Sequence, residues 1–342
     1  MTKPENAPSF NALEKERQLK AESDSWDGSA PVEAQQGDIP VIDLHPYFSS
    51  GSRDHLTAAA DQLRVALEEV GFFTIVGHQV SRARMSHAFD MVKAFHALPE
   101  QTKMAIKMDR PEWPVGGVGY LPVKNRKLPA RDKGNLNEAF LIKCDHRLGF
   151  DDNQWLEESE LPGFRETVTS YANALEDLGR RLLPVFAVAL DMPEDYFNEA
   201  FAKPLYRLRM TRYPPVVDSP EDEYGIAPHV DTTFCTILAQ DSPGLTVYSE
   251  RRHCWIKAPV VEDAFVVNSG ELLKIWTNHR FISTRHFVNN NISGHSRYSI
   301  PFFLNANSDY QMTCIPSCCD DNNPPRYPPI SYNQSQAAVQ GE

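Results

Sequence analysis

The sequence lacks any run of about 18 apolar residues, so no membrane-spanning helix is expected. It also lacks a cationic excess: 34 Lys and Arg stand against 46 Asp and Glu, a formal net charge of −12. That balance argues against nucleic acid or an anionic membrane as a partner. Cysteine is sparse, with six in 342 residues, which excludes a disulfide framework. Cys314, Cys318 and Cys319 cluster, but no second C-x-x-C half accompanies them. With Cys144, Cys235 and Cys254 they read as free, mostly buried thiols rather than zinc ligands. The glycine-rich Gly116-Gly117-Val118-Gly119-Tyr120 has neither the lysine of a P-loop nor the spacing of a dinucleotide fingerprint, so phosphate binding is not expected there. Residues 1–36 contain no apolar signal-peptide segment, and a cytoplasmic location is expected.

What is present is a core-forming chain, 41% hydrophobic. A short strand is expected at 39–44. Residues 55–70 carry Leu56, Ala59, Leu63, Ala66, Leu67 and Val70 along one helical face, closed by Gly71 as a C-cap glycine. Residues 72–76 read as a buried strand, 81–97 as a helix with Ser81 at its N-cap, and 137–143 as a strand. The longest helical stretch is 167–190, with a kink or local adjustment expected at Pro184. Beyond residue 205, short β-like runs recur between turn residues, at 205–213, 229–240, 245–249, 255–257, 265–269, 286–289 and 298–304. That pattern suggests a sandwich or barrel.

His229-Val230-Asp231 places two metal-ligating side chains at i and i+2, which share a face on a strand. A third ligand type, His286, opens another strand-like run. Two imidazoles and one carboxylate can occupy one triangular face of an octahedral metal and leave the opposite face open, which suits non-haem Fe(II) oxygenases. An H-x-D pair alone is common by chance. The added signal is Arg297-Tyr298-Ser299, eleven residues on (297 − 286), where a guanidinium fork and a hydroxyl on one strand face make a carboxylate receptor.

With these motifs the sequence resembles the isopenicillin N synthase-like branch of the 2-oxoglutarate/Fe(II)-dependent oxygenases, across residues 38–325. The resemblance is carried by Ile39-Pro40-Val41-Ile42-Asp43-Leu44, Gly71-Phe72-Phe73 with Gly77-His78, Tyr213-Pro214-Pro215, His229-Val230-Asp231-Thr232, Gln240-Asp241 with Gly244-Leu245, Asn268-Ser269-Gly270-Glu271, Ser283-Thr284-Arg285-His286 and Arg297-Tyr298-Ser299-Ile300-Pro301-Phe302-Phe303. It implies an α+β fold with a double-stranded β-helix, or jelly roll, at 196–325. Residues 38–195 would buttress that core, with a flexible arm at 1–37 and a loose tail at 326–342. It implies Fe(II) on His229, Asp231 and His286, which are then the catalytic residues. Arg297, Ser299 and Tyr213 would hold 2-oxoglutarate, and O2 would complete the reactants. Two positions depart from the family pattern: Phe287 stands where arginine usually follows the third ligand, and Thr211 where many relatives carry asparagine.

By fold analogy, Tyr120, Phe140, Thr211 and Phe303 are the substrate-pocket candidates. The substrate is expected to be a small specialised metabolite oxidised at a C–H bond. The protein is expected to be a monomer or homodimer. Two alternatives stand beside this reading: an Fe(II) oxidase working without 2-oxoglutarate, and a non-catalytic jelly-roll binding protein. Lys124, Arg126, Lys127, Arg131 and Lys133 form a basic stretch, read as a solvated loop or as a lid that attracts an anionic substrate. The remaining histidines, including His78, read as surface or structural.

Overall fold

The computed structural model describes residues 30–110, 116–124, 133–145, 152–217 and 223–335. Most of the basic stretch, Arg126 to Arg131, lies outside the described residues, as do residues 1–29. In chain order the strands are β1 (Val32–Glu33), β2 (Val41–Asp43), β3 (Phe72–Val76), β4 (Gly119–Leu121), β5 (Glu138–Cys144), β6 (Leu205–Tyr213) and β7 (Ile226–His229). They continue as β8 (Cys235–Gln240), β9 (Leu245–Ser249), β10 (Cys254–Lys257), β11 (Phe265–Ser269), β12 (His286–Val288) and β13 (Arg297–Asn305). The described helices are α1 (His45–Ser50), α2 (Arg53–Glu69), α3 (Arg82–Ala97), α4 (Glu100–Met104), α5 (Phe164–Ala189) and α6 (Glu271–Trp276). None of them is long and apolar enough to cross a membrane.

The strands build two sheets in a mixed α/β fold. One has eight strands in the order β2-β3-β11-β8-β13-β6-β5-β4, the other five in the order β1-β10-β9-β12-β7. Helices cover one face of the larger sheet. The α2 helix starts where the Ser52 hydroxyl accepts the His55 N–H, and buries Leu56, Ala59, Leu63, Ala66 and Leu67 along one stripe. It stops at Gly71, whose φ of +74° suits glycine and whose N–H reaches the Ala66 carbonyl at 2.8 Å. Ser81 caps α3 in the same way. The α5 helix runs through Pro184 and lies so close to β13 that a side chain at Gly179 would meet Leu304.

Alternation then sorts the larger sheet. On β6, Tyr206, Leu208 and Met210 join the core beneath the helices. The other face carries Arg207, Arg209, Thr211 and Tyr213 into the space between the sheets.

Four expectations change. The run at 229–240 is two strands, β7 and β8, separated by a turn, because Asp231 to Phe234 bend back onto Gly270. The glycine-rich segment ends as strand β4, with Tyr120 paired to Phe140. The arm is engaged from Val32, which pairs in parallel with Ile256. The tail is not loose as far as Ser335: Ile330 pairs with Met312, and Tyr332 is buried.

A buried charge cluster ties β5 to the helices. Glu138 accepts from Lys103 Nζ at 3.0 Å, from the Tyr120 hydroxyl at 2.5 Å and from Arg212 Nη1 at 2.7 Å. Burial pushes its pKa up, but His96, Tyr120 and Lys103 outweigh that and hold the carboxyl well below its ordinary range. The stability it contributes is therefore present at neutral pH and is lost only as pH falls below the ordinary carboxylate range. Glu138→Ala strands Lys103 in the core and should destabilise the fold by about 3–5 kcal/mol. Urea titration checks this, and an unshifted midpoint would refute it.

Candidate metal centre

His229 is the last residue of β7 and His286 the first of β12, and the two are direct antiparallel partners. The register shifts by one residue beyond them, so that Val288 faces Ile226. Such a bulge re-aims side chains locally. Asp231 is not on the strand, as the i, i+2 reading had it, but in the turn after it. That turn is clamped by the Glu271 N–H on the Asp231 carbonyl at 2.7 Å and the Gly270 N–H on the Phe234 carbonyl at 3.2 Å. Gly270 is required there, because a Cβ would collide with the backbone of Asp231 and Thr233.

The three side chains converge. One ligand atom from each of His229, Asp231 and His286 lies within 4.8 Å of the others, the one such group of three or more among the described residues. Asp231 Oδ1 stands 3.7 Å from His229 Nε2 and 3.8 Å from His286 Nε2. Each histidine spends its other nitrogen on a carbonyl: His229 Nδ1 on Ala227 at 2.8 Å, His286 Nδ1 on Thr284 at 3.1 Å. Nδ1 therefore carries the proton and Nε2 offers a lone pair to the centre. Asp231 Oδ2 is likewise committed, accepting from Thr236 Oγ1 at 2.6 Å and Asn268 Nδ2 at 2.9 Å.

Electrostatics at His229 and Asp231 agree with deprotonated donors. Burial, then His286, lowers the His229 pKa to about 4. Burial alone would raise that of Asp231, but the two imidazoles and the Asn268 and Thr236 hydrogen bonds bring it below its ordinary value. Two imidazoles and one carboxylate, converging on one point, fit a divalent iron ion.

Arg297 lies at the end of β13 opposite Tyr213. Its Nε donates to the Ser242 carbonyl at 3.0 Å and Nη2 to Gln240 Oε1 at 2.9 Å, and its guanidinium lies 4.7 Å from the Tyr213 ring centroid. Gly244 leaves room for it, since a Cβ there would approach Arg297 Nε at 2.7 Å. Nη1 is buried with no hydrogen-bond partner among the described residues, although an ionised donor so placed demands one. Ser299 Oγ and the Tyr213 hydroxyl are 3.4 Å apart on the same interior face.

The pocket candidates divide. Thr211 faces the interior beside Ser299, and Phe303 lies opposite Thr236. Tyr120 and Phe140 do not line the site. Their register places them on the helix-covered face, where Phe140 packs 5.0 Å from both Phe95 and Phe164 and Tyr120 bonds Glu138. Thr236, Asn268, Gln240 and Ser242 were not singled out as site residues from sequence. Asn268 and Gln240 stood in recognised motifs but without a role, and Thr236 and Ser242 carry no local signal.

Comparison with known proteins follows the same lines. A family profile described as 2OG-Fe(II) oxygenase superfamily matches residues 204–306. One described as non-haem dioxygenase in morphine synthesis N-terminal matches residues 39–158. The 2-oxoglutarate-Fe(II) type oxidoreductase hxnY of Emericella nidulans is 33% identical over 309 residues, covering 85% of this chain and 86% of the relative. A full-length Neurospora crassa protein, whose crystal structure is a complex with alpha-KG and thymine, superimposes with a TM-score of 0.79 at 24% identity, covering 90% of this chain and 99% of that one. The rice dioxygenase for auxin oxidation superimposes with a TM-score of 0.70 at 26% identity, covering 89% and 96%.

Thr236→Val and Asn268→Leu each free one lone pair of Asp231 and let its carboxylate rotate. Each should weaken Mn(II) binding about 10- to 100-fold. Calorimetric titration of the metal measures this, and wild-type affinity in both variants would show that these bonds do not aim Asp231.

Proposed function

The chain belongs to the 2-oxoglutarate/Fe(II) oxygenase superfamily, and from that premise we propose that His229, Asp231 and His286 hold the iron while Arg297, Ser299 and Tyr213 hold 2-oxoglutarate. The protein is a dioxygenase that uses Fe(II), 2-oxoglutarate and O2 to oxidise a small molecule. The observation that carries the site assignment is the convergence of two bare Nε2 atoms and one carboxylate oxygen. The strands from β6 onward alternate between sheets except for the β9-β10 hairpin, with β6, β8, β11 and β13 in the larger and β7, β9, β10 and β12 in the smaller. We read this as a double-stranded β-helix with the centre in its interior, buttressed by residues 38–195.

When bound, iron with 2-oxoglutarate and O2 supplies the oxidant that takes hydrogen from a C–H bond, 2-oxoglutarate leaving as succinate and CO2. The protein's part is placement. His229, Asp231 and His286 would hold the iron, and two imidazoles with one carboxylate would leave it able to take small-molecule ligands. The Nη1 atom and the remaining N–H of Nη2 on Arg297 donate to the far carboxylate of 2-oxoglutarate, while Ser299 and Tyr213 add hydroxyl donors. Gln240 and Ser242 hold the guanidinium plane, so little rotamer freedom remains to be lost on binding. A buried donor on Arg297 with no partner among the described residues favours this reading over an oxidase without 2-oxoglutarate, as do relatives named for that cosubstrate. The substrate is assigned to the specialised metabolites, with Thr211 and Phe303 on its path.

Alanine at His229, Asp231 or His286 should abolish succinate production and tight Mn(II) binding. Near wild-type values for any one variant would remove that residue from the ligand set. Arg297→Lys keeps the charge but loses the planar fork, a loss of about 1.5–3 kcal/mol. The apparent constant for 2-oxoglutarate should rise about 10- to 150-fold, with metal affinity unchanged. An unaltered 2-oxoglutarate titration would take Arg297 out of that site.

A further inference from the structure

Around Ser299, three buried side-chain atoms have no hydrogen-bond partner among the described residues: Arg297 Nη1, Thr211 Oγ1 and Gln240 Nε2. Arg297 is assigned above to 2-oxoglutarate and Thr211 to the path of the substrate. Gln240 has so far only the task of holding the guanidinium, and that task uses one half of its amide.

The cross-strand register fixes the side to which Gln240 points. Ser299 stands opposite Thr211 on β6 and opposite Gln240 on β8. Residues directly opposite one another in a ladder lie on the same side of the sheet, so Gln240 shares the interior face with Ser299. Gln240 is the last residue of β8 and Arg297 the first of β13. They meet where Arg297 Nη2 donates to Gln240 Oε1 at 2.9 Å. That bond also settles which end of the amide is which. A guanidinium only donates, so the atom facing it is the oxygen and the other is the NH2 group. The Nε2 donor is therefore carried on the same carbon as the oxygen that grips Arg297, beside the fork, and in the same unsatisfied state as Nη1. A glutamate in this position would also hold the arginine, but would cancel its charge. Glutamine holds it, leaves the charge intact and adds a donor.

We propose that Gln240 is itself part of the 2-oxoglutarate receptor, its Nε2 donating to the far carboxylate next to Arg297. The inference rests on the cosubstrate site proposed above. A carboxylate offers about four lone-pair directions, more than one guanidinium fork fills. It satisfies both orphan nitrogens at once, whereas an apolar group at that end of the cosubstrate leaves both buried and unpaired. Gln240 is a binding residue in this scheme, and not only a brace for Arg297.

The test is a double-mutant cycle in the full chain loaded with Mn(II), read by calorimetric titration. The probes are 2-oxoglutarate and 2-oxovalerate, which has the same keto acid head and a methyl group where the far carboxylate stands. The proteins are wild type, Arg297→Leu, Gln240→Leu and the double variant. A residue that only braces Arg297 contributes nothing once Arg297 is gone, so its removal would then change nothing further. Direct donation instead predicts that Gln240→Leu weakens 2-oxoglutarate about 10-fold or more both in wild type and in Arg297→Leu. Binding of 2-oxovalerate and of Mn(II) should stay as it was. Equal 2-oxoglutarate affinity in Arg297→Leu with and without Gln240 overturns the proposal. So does an equal loss of both probes on Gln240→Leu. Arg297→Lys supplies the same comparison should leucine at that position unfold the chain. Wild type that binds both probes equally would overturn the cosubstrate site, and this inference with it, whereas the two preceding outcomes remove Gln240 alone.

Discussion

The centre depends on one pairing: β7 against β12, with His229 directly across from His286. Cross-strand partners have side chains close enough to share one ion, and here the ring centroids are 4.3 Å apart. Everything else supplies the third donor or keeps the pair in register. β12 is held on its other side by β9, where His286 also faces Val247. Phe72 packs edge-on against the His286 ring at 5.2 Å, so the strand nearest the N-terminal helices also steadies the metal site. Asp231 arrives from a turn whose shape is set by Gly270 and the start of α6. The carboxylate is therefore aimed by tertiary contacts, and not by the strand that carries its neighbour.

The larger sheet separates two kinds of chemistry by side-chain parity. Its helix-covered face is apolar apart from the Glu138 cluster, in which a single carboxylate balances Lys103 and Arg212. Its interior face collects Tyr213, Ser299 and Arg297 at one end and Arg209 and Arg207 along β6. Nη1 of Arg297 is buried with no hydrogen-bond partner among the described residues, and an unsatisfied ionised donor is expensive to bury.

Much of this was legible from residue type and spacing. The helix start at Ser81 follows from a side chain that accepts a backbone N–H group, a local effect, whereas α2 begins at Ser52, ahead of the apolar stripe at 55–70 that marked it. The β-rich second half was visible in its short runs, and β6, β9 and β11 fall at the residues their pattern indicates. Less legible was sidedness. Tyr120 and Phe140 look like pocket residues in a list, yet a one-residue difference in parity puts them in the core with Phe95. The split of 229–240 into β7 and β8 was hidden for a related reason: nothing between His229 and Gln240 forbids a strand, and the turn exists because Gly270 and Glu271 bind it from 40 residues away (271 − 231).

By itself, then, the sequence determined which donors are available and in what chemical proportion: two imidazoles, one carboxylate and a guanidinium with a hydroxyl two residues on. Those follow from composition and local order, which no folding can alter. Only the tertiary structure decided which atoms of those donors are free to act. Ala227 and Thr284 carbonyls select Nε2 on each histidine, Thr236 and Asn268 leave Oδ1 as the inward oxygen of Asp231, and Gln240 with Ser242 leaves Nη1 of Arg297 exposed to the interior. Those partners come from other strands and turns, and a hydrogen bond acts only over about 3 Å, so its geometry exists only once the chain has brought them together.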